Sequence, residues 1–179
     1  TAALGHPSRP FVVYVPRKPE RFDEVAEMLA ARGLLALRRS QALDAALAAP
    51  TLPFPRSGQG LPPDILLGDS LGEMYFYIAL ADRVVTGGGF TPHGAHNIIE
   101  PLALKRPVIV GPQIHTIEYP GVEAIAAGVC LRVETPAALT AALTDWPGPP
   151  RADIDSFFAA HAGATTKTLA ALDGALTSR

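Results

Sequence analysis

Cysteine is almost missing from this sequence: Cys130 alone occurs in 179 residues. A single thiol excludes an internal disulfide and a cysteine-rich zinc site, and points to a reducing compartment. It lies in the apolar run Gly128-Val129-Cys130-Leu131, where a buried core role is expected. Charge is sparse too, at 18% of residues, with a formal net charge of −2. The lack of a basic excess argues against a dedicated nucleic-acid binder. No apolar run reaches the roughly eighteen residues of a membrane span, no signal peptide is visible, and the chain is expected to be soluble as it stands. Internal repeats are absent as well. What the chain has in quantity is apolar residues, 48% of the whole, in a length suited to one domain with a full core.

Those apolar residues fall into short strand and helix patterns that alternate. Phe11-Val12-Val13-Tyr14-Val15, closed by Pro16, reads as a strand. Residues 20–32 carry Phe22, Val25, Met28 and Leu29 at helical spacing, and Gly33 stops the helix. A strand over 34–37 and a short helix over 41–49 come next, then a loop over 50–63 rich in proline and glycine. Strand 64–67 precedes helix 72–81. Strands 83–86, 107–110 and 129–133 precede helices 97–104, 121–127 and 136–144, and residues 152–176 form one or two closing helices. Such alternation predicts an α/β domain over residues 1–179, with a parallel sheet covered by helices on both faces. Ligands of such sheets bind beyond the C-terminal ends of the strands.

The polar motifs sit at those ends. Pro16, Arg17 and Lys18 follow the first strand, and Gly68-Asp69-Ser70-Leu71-Gly72-Glu73 follows the third. Gly87, Gly88 and Gly89 follow strand 83–86, leading through His93 and His96 into a helix start at Asn97, Ile98, Ile99 and Glu100. Gly111-Pro112-Gln113 follows strand 107–110. Consecutive glycines let a ligand approach bare amides, and a helix start offers unpaired N–H groups to a phosphate. Arg17 and Lys18 supply cations, Glu73 and Glu100 acceptors for sugar hydroxyls. Together they fit a ligand with a phosphate at one end and a polyol at the other.

Plainer readings exist for each feature. Gly87–Gly89 can be a tight turn alone, and Asn97 with Glu100 a reciprocal helix cap. His93 and His96 lack a clear third metal ligand, so no metal is expected. Arg38-Arg39 and Lys105-Arg106 read as solvated surface charges. Gly68-Asp69-Ser70-Leu71-Gly72 also matches the nucleophile elbow of α/β serine hydrolases, with Ser70 as nucleophile and His161 as its base. A non-catalytic sensor of nucleotide sugars would use the same loops without chemistry.

Taken jointly, Tyr14-Val15-Pro16-Arg17-Lys18-Pro19-Glu20-Arg21-Phe22, Gly68–Met74, His96-Asn97-Ile98-Ile99-Glu100-Pro101 and Arg106–Pro112 resemble the 3-deoxy-D-manno-octulosonic acid (Kdo) transferases of lipopolysaccharide synthesis. The resemblance covers roughly residues 11 to 145, and the joint spacing is far more specific than any one motif. It implies a Rossmann-like domain forming the C-terminal, donor-binding half of a GT-B glycosyltransferase. An N-terminal acceptor domain would be absent from this chain, and would carry the catalytic base. The implied reaction moves Kdo from its cytidine monophosphate ester (CMP-Kdo) to a lipid A precursor, without a cofactor. The implied donor contacts are Pro16, Arg17, Leu71, Gly72, Glu73, Gly88, Gly89, His96, Asn97, Ile98, Ile99 and Glu100. Lys18 stands where such proteins often have histidine, Ala95 where glycine is common, and Gln113–Tyr119 departs from the usual sequence. The implied location of the whole protein is the cytoplasmic face of a Gram-negative inner membrane, with membrane contact mainly through the absent domain.

Overall fold

Strands and helices alternate along the chain as the apolar pattern predicts. In the computed structural model, which describes residues 10–44, 64–161 and 163–177, the strands are β1 (Val12–Tyr14), β2 (Ala36–Arg38), β3 (Ile65–Leu67), β4 (Val84–Val85), β5 (Val108–Val110) and β6 (Cys130–Arg132). The helices are α1 (Phe22–Ala30), α2 (Arg39–Ala42), α3 (Met74–Leu80), α4 (Ile99–Ala103), α5 (Glu118–Ala126), α6 (Pro136–Asp145), α7 (Arg151–His161) and α8 (Ala164–Thr177). None of these helices is long and apolar enough to cross a membrane.

Every strand pairing is parallel, and the pairings form two three-stranded ladders, ordered β1-β3-β2 and β4-β5-β6. The middle strands, Ile65-Leu66-Leu67 and Val108-Ile109-Val110, are buried at every residue. Continuous apolar runs of this kind are what a parallel strand covered on both faces requires. The chain divides into two compact units near Ala81 and Asp82, one built around each ladder.

In the first unit α1 places Val25 and Leu29, one helical turn apart, against Ile65 and Leu67. Gly33, at φ 69°, closes that helix in the left-handed conformation, and Leu34 N–H donates to Leu29 O at 3.1 Å. In the second unit Ile98, Leu102, Val108, Val110, Ile154 and Phe157 form the core. Cys130 belongs to it, as expected, and burial pushes its thiol up to about 12. Helix α6 begins where its sequence says: Thr135 Oγ1 accepts from Ala138 N–H at 3.1 Å, and Pro136 opens the first turn.

The segment after β2 departs from expectation. The helix read over 41–49 is a single turn, Arg39–Ala42, beginning at an arginine that is buried. Residues 45–49 and the proline-rich loop 50–63 lie outside the described residues.

Candidate functional site

Parallel pairing puts the C-terminal ends of β1, β3 and β2 on one edge of the first ladder, since Tyr14, Leu67 and Arg38 are in register. Pro16 leaves that edge buried, while Arg17 and Lys18 are exposed. Arg17 makes no ion pair with any described residue. Beside it, after β3, Gly68 N–H donates to Tyr14 O at 2.9 Å. A Cβ on Gly68 would stand 2.8 Å from the Tyr77 ring, so only glycine lets the chain pass there. The loop then turns outward: Leu71 is 69% exposed, and Gly72 sits at φ 79° with open space around it. Pro16, Arg17, Leu71, Gly72 and Glu73 are thus brought together on one edge.

Glu73 points inward, half-buried. Its carboxylate pairs with the Arg39 guanidinium and accepts from Ser70 Oγ, and Tyr77 OH lies 3.3 Å from it. Arg39, expected to be a solvated charge, is instead buried, because an acid on the next loop meets it. No local sequence signal shows this; the pairing partner lies 34 residues away. Ser70 Oγ lies 2.5 Å from Tyr77 OH besides contacting Glu73. Among the described residues the hydroxyl is therefore engaged by an acid and a phenol and by no histidine, which removes the support for a serine hydrolase.

The second ladder carries the remaining candidates on its own edge. Gly88, at φ 84°, packs so closely on Gly94 O that no side chain fits. Gly89 lies against the backbone of Gly111, and Gln113 N–H donates to Gly89 O at 2.9 Å. Two further bonds complete the seam: Ala95 N–H to Gln113 O at 2.8 Å, and Thr116 Oγ1 to Ala95 O at 2.5 Å. The glycines serve here to let two backbones touch.

Helix α4 begins later than the motif suggests and is five residues long. Asn97 precedes the N-cap residue Ile98, and its Oδ1 accepts from Ile99 N–H at 2.8 Å. Glu100 returns no bond to Asn97, so the reciprocal cap is not formed. The Glu100 carboxylate, half-buried, has no bonding partner among the described residues. His96 is exposed, and its ring would touch a Cβ placed on Gly87. Ile98 is 1% exposed and belongs to the core, leaving only its backbone for a ligand. Nearby, Gln113, His115, Glu118 and Arg132 line an open pocket of about 310 Å³ with Pro112 and Val122. No group of three potential metal ligands comes together among the described residues.

No family model matches the chain. It is 42% identical over 174 residues to a 3-deoxy-D-manno-octulosonic acid transferase of Bordetella pertussis, covering 92% of this chain and 37% of that protein. With the transferase of the same description from Haemophilus influenzae it shares 37% identity over 109 residues, 61% of this chain and 22% of that one. Among solved structures it is similar to the C-terminal CMP-Kdo binding domain of WaaA from Acinetobacter baumannii. That match has TM-score 0.59 and 29% identity, covering 81% of this chain and 72% of the other. The resemblance read from the motifs therefore holds over most of the chain, and the parallel α/β class with it. The chain spans about a third of the length of the first of these relatives.

Proposed function

We propose that this chain is the donor-binding half of a GT-B Kdo transferase and that its ligand is CMP-Kdo. The observation that carries this reading is the alignment, across 92% of the chain, with a transferase of that sugar. The geometry supports it. An arginine without an ion-pair partner among the described residues stands beside an exposed, glycine-opened loop, as a phosphate ligand needs. In the other unit a carboxylate without a partner among the described residues follows a loop sealed by glycines, suited to accept from sugar hydroxyls. The serine hydrolase and sensor alternatives gain no support from the relatives or from Ser70's contacts.

In the complete protein the reaction is transfer of Kdo to a lipid A precursor at the cytoplasmic face of the inner membrane. An acceptor hydroxyl attacks the anomeric carbon, and the bond from that carbon to the phosphate oxygen breaks. The acceptor proton passes to a carboxylate of the N-terminal domain, and cytidine monophosphate leaves. Within this chain, Arg17 offsets charge developing on the departing phosphate, and the Leu71–Gly72 backbone positions the nucleotide. No cofactor is required.

Calorimetric titration with cytidine, uridine and adenosine nucleotides tests the reading. Preference for cytidine monophosphate, with no Kdo transfer by the chain alone, is the expected result. Preference for uridine diphosphate would move the chain to a different donor and overturn it.

A further inference from the structure

Arg39 is a charged residue that the first unit buries, and donor binding as set out above makes no use of it. Its side chain is 9% exposed and its Nη2 pairs with Glu73 Oε1. The Nη1 donates to Leu43 O at 3.4 Å, and Nε has no acceptor among the described residues. The second carboxylate oxygen of Glu73 accepts from Ser70, whose hydroxyl also meets Tyr77 OH. Burial raises the Tyr77 phenol above its ordinary pKa, so it stays protonated beside Glu73.

A second tie runs parallel to this one. Asp69, 4% exposed at its side chain, accepts from Ser40 N–H at 2.8 Å and Ser40 Oγ at 2.6 Å, with Arg38 at 3.7 Å. Asp69 and Glu73 flank the outward bend at Leu71 and Gly72, and each is anchored to consecutive residues of the segment that follows β2. The exposed tip is thus a short bridge clamped at both ends. Among the described residues nothing lies within 4 Å of where a Cβ on Gly72 would stand, and Leu71 is 69% exposed.

We propose that Arg39 is a positioning residue for donor binding: by holding Glu73 from the inside it fixes the Leu71–Gly72 backbone against the nucleotide. Glu73, a ligand candidate from its motif, acts inward as the partner of Arg39 and does not contact the donor. This rests on the donor-binding reading and adds to it the device that shapes the loop. A guanidinium spreads its donors in a fixed fork where an ammonium gathers three at one point, so Arg39→Lys keeps part of the clamp and Arg39→Met none.

The test combines titration of the 179-residue chain with cytidine monophosphate and hydrogen exchange in peptides covering 68–73. Arg39→Met is expected to weaken binding by about tenfold or more and to speed exchange in 68–73 by a similar factor, leaving 108–110 unchanged. Arg39→Lys returns binding to within about threefold of the parent. Should Arg39→Met fail to fold, Ser70→Ala, which removes one bond from the same network, is expected to weaken binding about threefold. Parental binding in Arg39→Met, or in Ser70→Ala when Arg39→Met is unfolded, overturns the inference alone. Binding lost without faster exchange in 68–73 makes Arg39 a direct ligand and also overturns it. Absence of cytidine binding by the parent overturns the donor reading, and the inference with it.

Discussion

Replacing Gly89 by alanine tests the seam that holds the glycine loop. Gly89 has no left-handed φ, so alanine suits its backbone and space is the only obstacle. An added Cβ would stand 2.6 Å from Gly111 N and 2.9 Å from Gly111 Cα. Comfortable contact begins near 3.5 Å, so the two loops must part by about 1 Å. The obstructing atoms are backbone and cannot rotate aside. Parting the loops stretches the 2.9 Å bond from Gln113 N–H to Gly89 O past a useful length. Overpacking of this kind costs about 1–3 kcal/mol and the lost bond about 0.5–1.5, so the expected loss is roughly 2–4 kcal/mol. Urea unfolding reads it directly: with a slope near 2 kcal/mol/M, the midpoint falls by about 1–2 M. Gly111→Ala is expected to cost a similar amount, because its Cβ would stand 2.5 Å from Gly89 C. The double substitution should lose less than the sum, since one separation accommodates both methyl groups. A Gly89→Ala chain within about 0.5 kcal/mol of the parent, or strict additivity, would refute the reasoning.

Arg17→Ala is expected to leave the urea midpoint unchanged and to weaken cytidine monophosphate binding about tenfold or more, the loss of one charge-assisted bond to phosphate; equal affinity by calorimetry would remove Arg17 from the site. Thr116→Val deletes the donor to Ala95 O and is expected to cost about 1–2 kcal/mol in the same unfolding assay, with Thr116→Ser recovering most of it. Cys130 should resist iodoacetamide in the native chain at mildly alkaline pH and react on unfolding, because burial holds its thiol protonated up to about 12. The unfolded thiol releases its proton near 9.0, well before the folded one, so folding stability falls as pH climbs through that interval. Tyr77, also raised in the fold, adds the same sign above 10.0. A parent and a Cys130→Ala chain with identical stability profiles from pH 9 to 12 would count against the buried thiol.

Much of the architecture was legible one segment at a time. The runs at Val12–Tyr14, Ile65–Leu67 and Val108–Val110 are strands because they are short, apolar and bounded by breakers. The Thr135-Pro136 start and the Gly33 stop are local chemistry, and both stand where the sequence puts them. Where a motif depends on its own neighbours only, reading succeeds. Asn97 and Glu100 show the limit: spacing alone allowed a reciprocal cap, yet α4 starts at Ile99 and Asn97 caps it from one residue earlier.

By itself, then, the sequence determined the alternation of strands and helices, the parallel α/β class, the loops that gather polar groups at strand ends, and the likeness to Kdo transferases. These depend on periodicity, breakers and motif spacing, which act over a few residues. Only the tertiary structure decided how the strands pair into two ladders, that Arg39 is buried and paired to Glu73, and that Gly89 is needed because Gly111 lies against it. Each of these is a meeting of residues more than twenty positions apart. The cost of burying a charge or crowding two backbones is set by the partner, and the identity of that partner is settled only when the chain has folded.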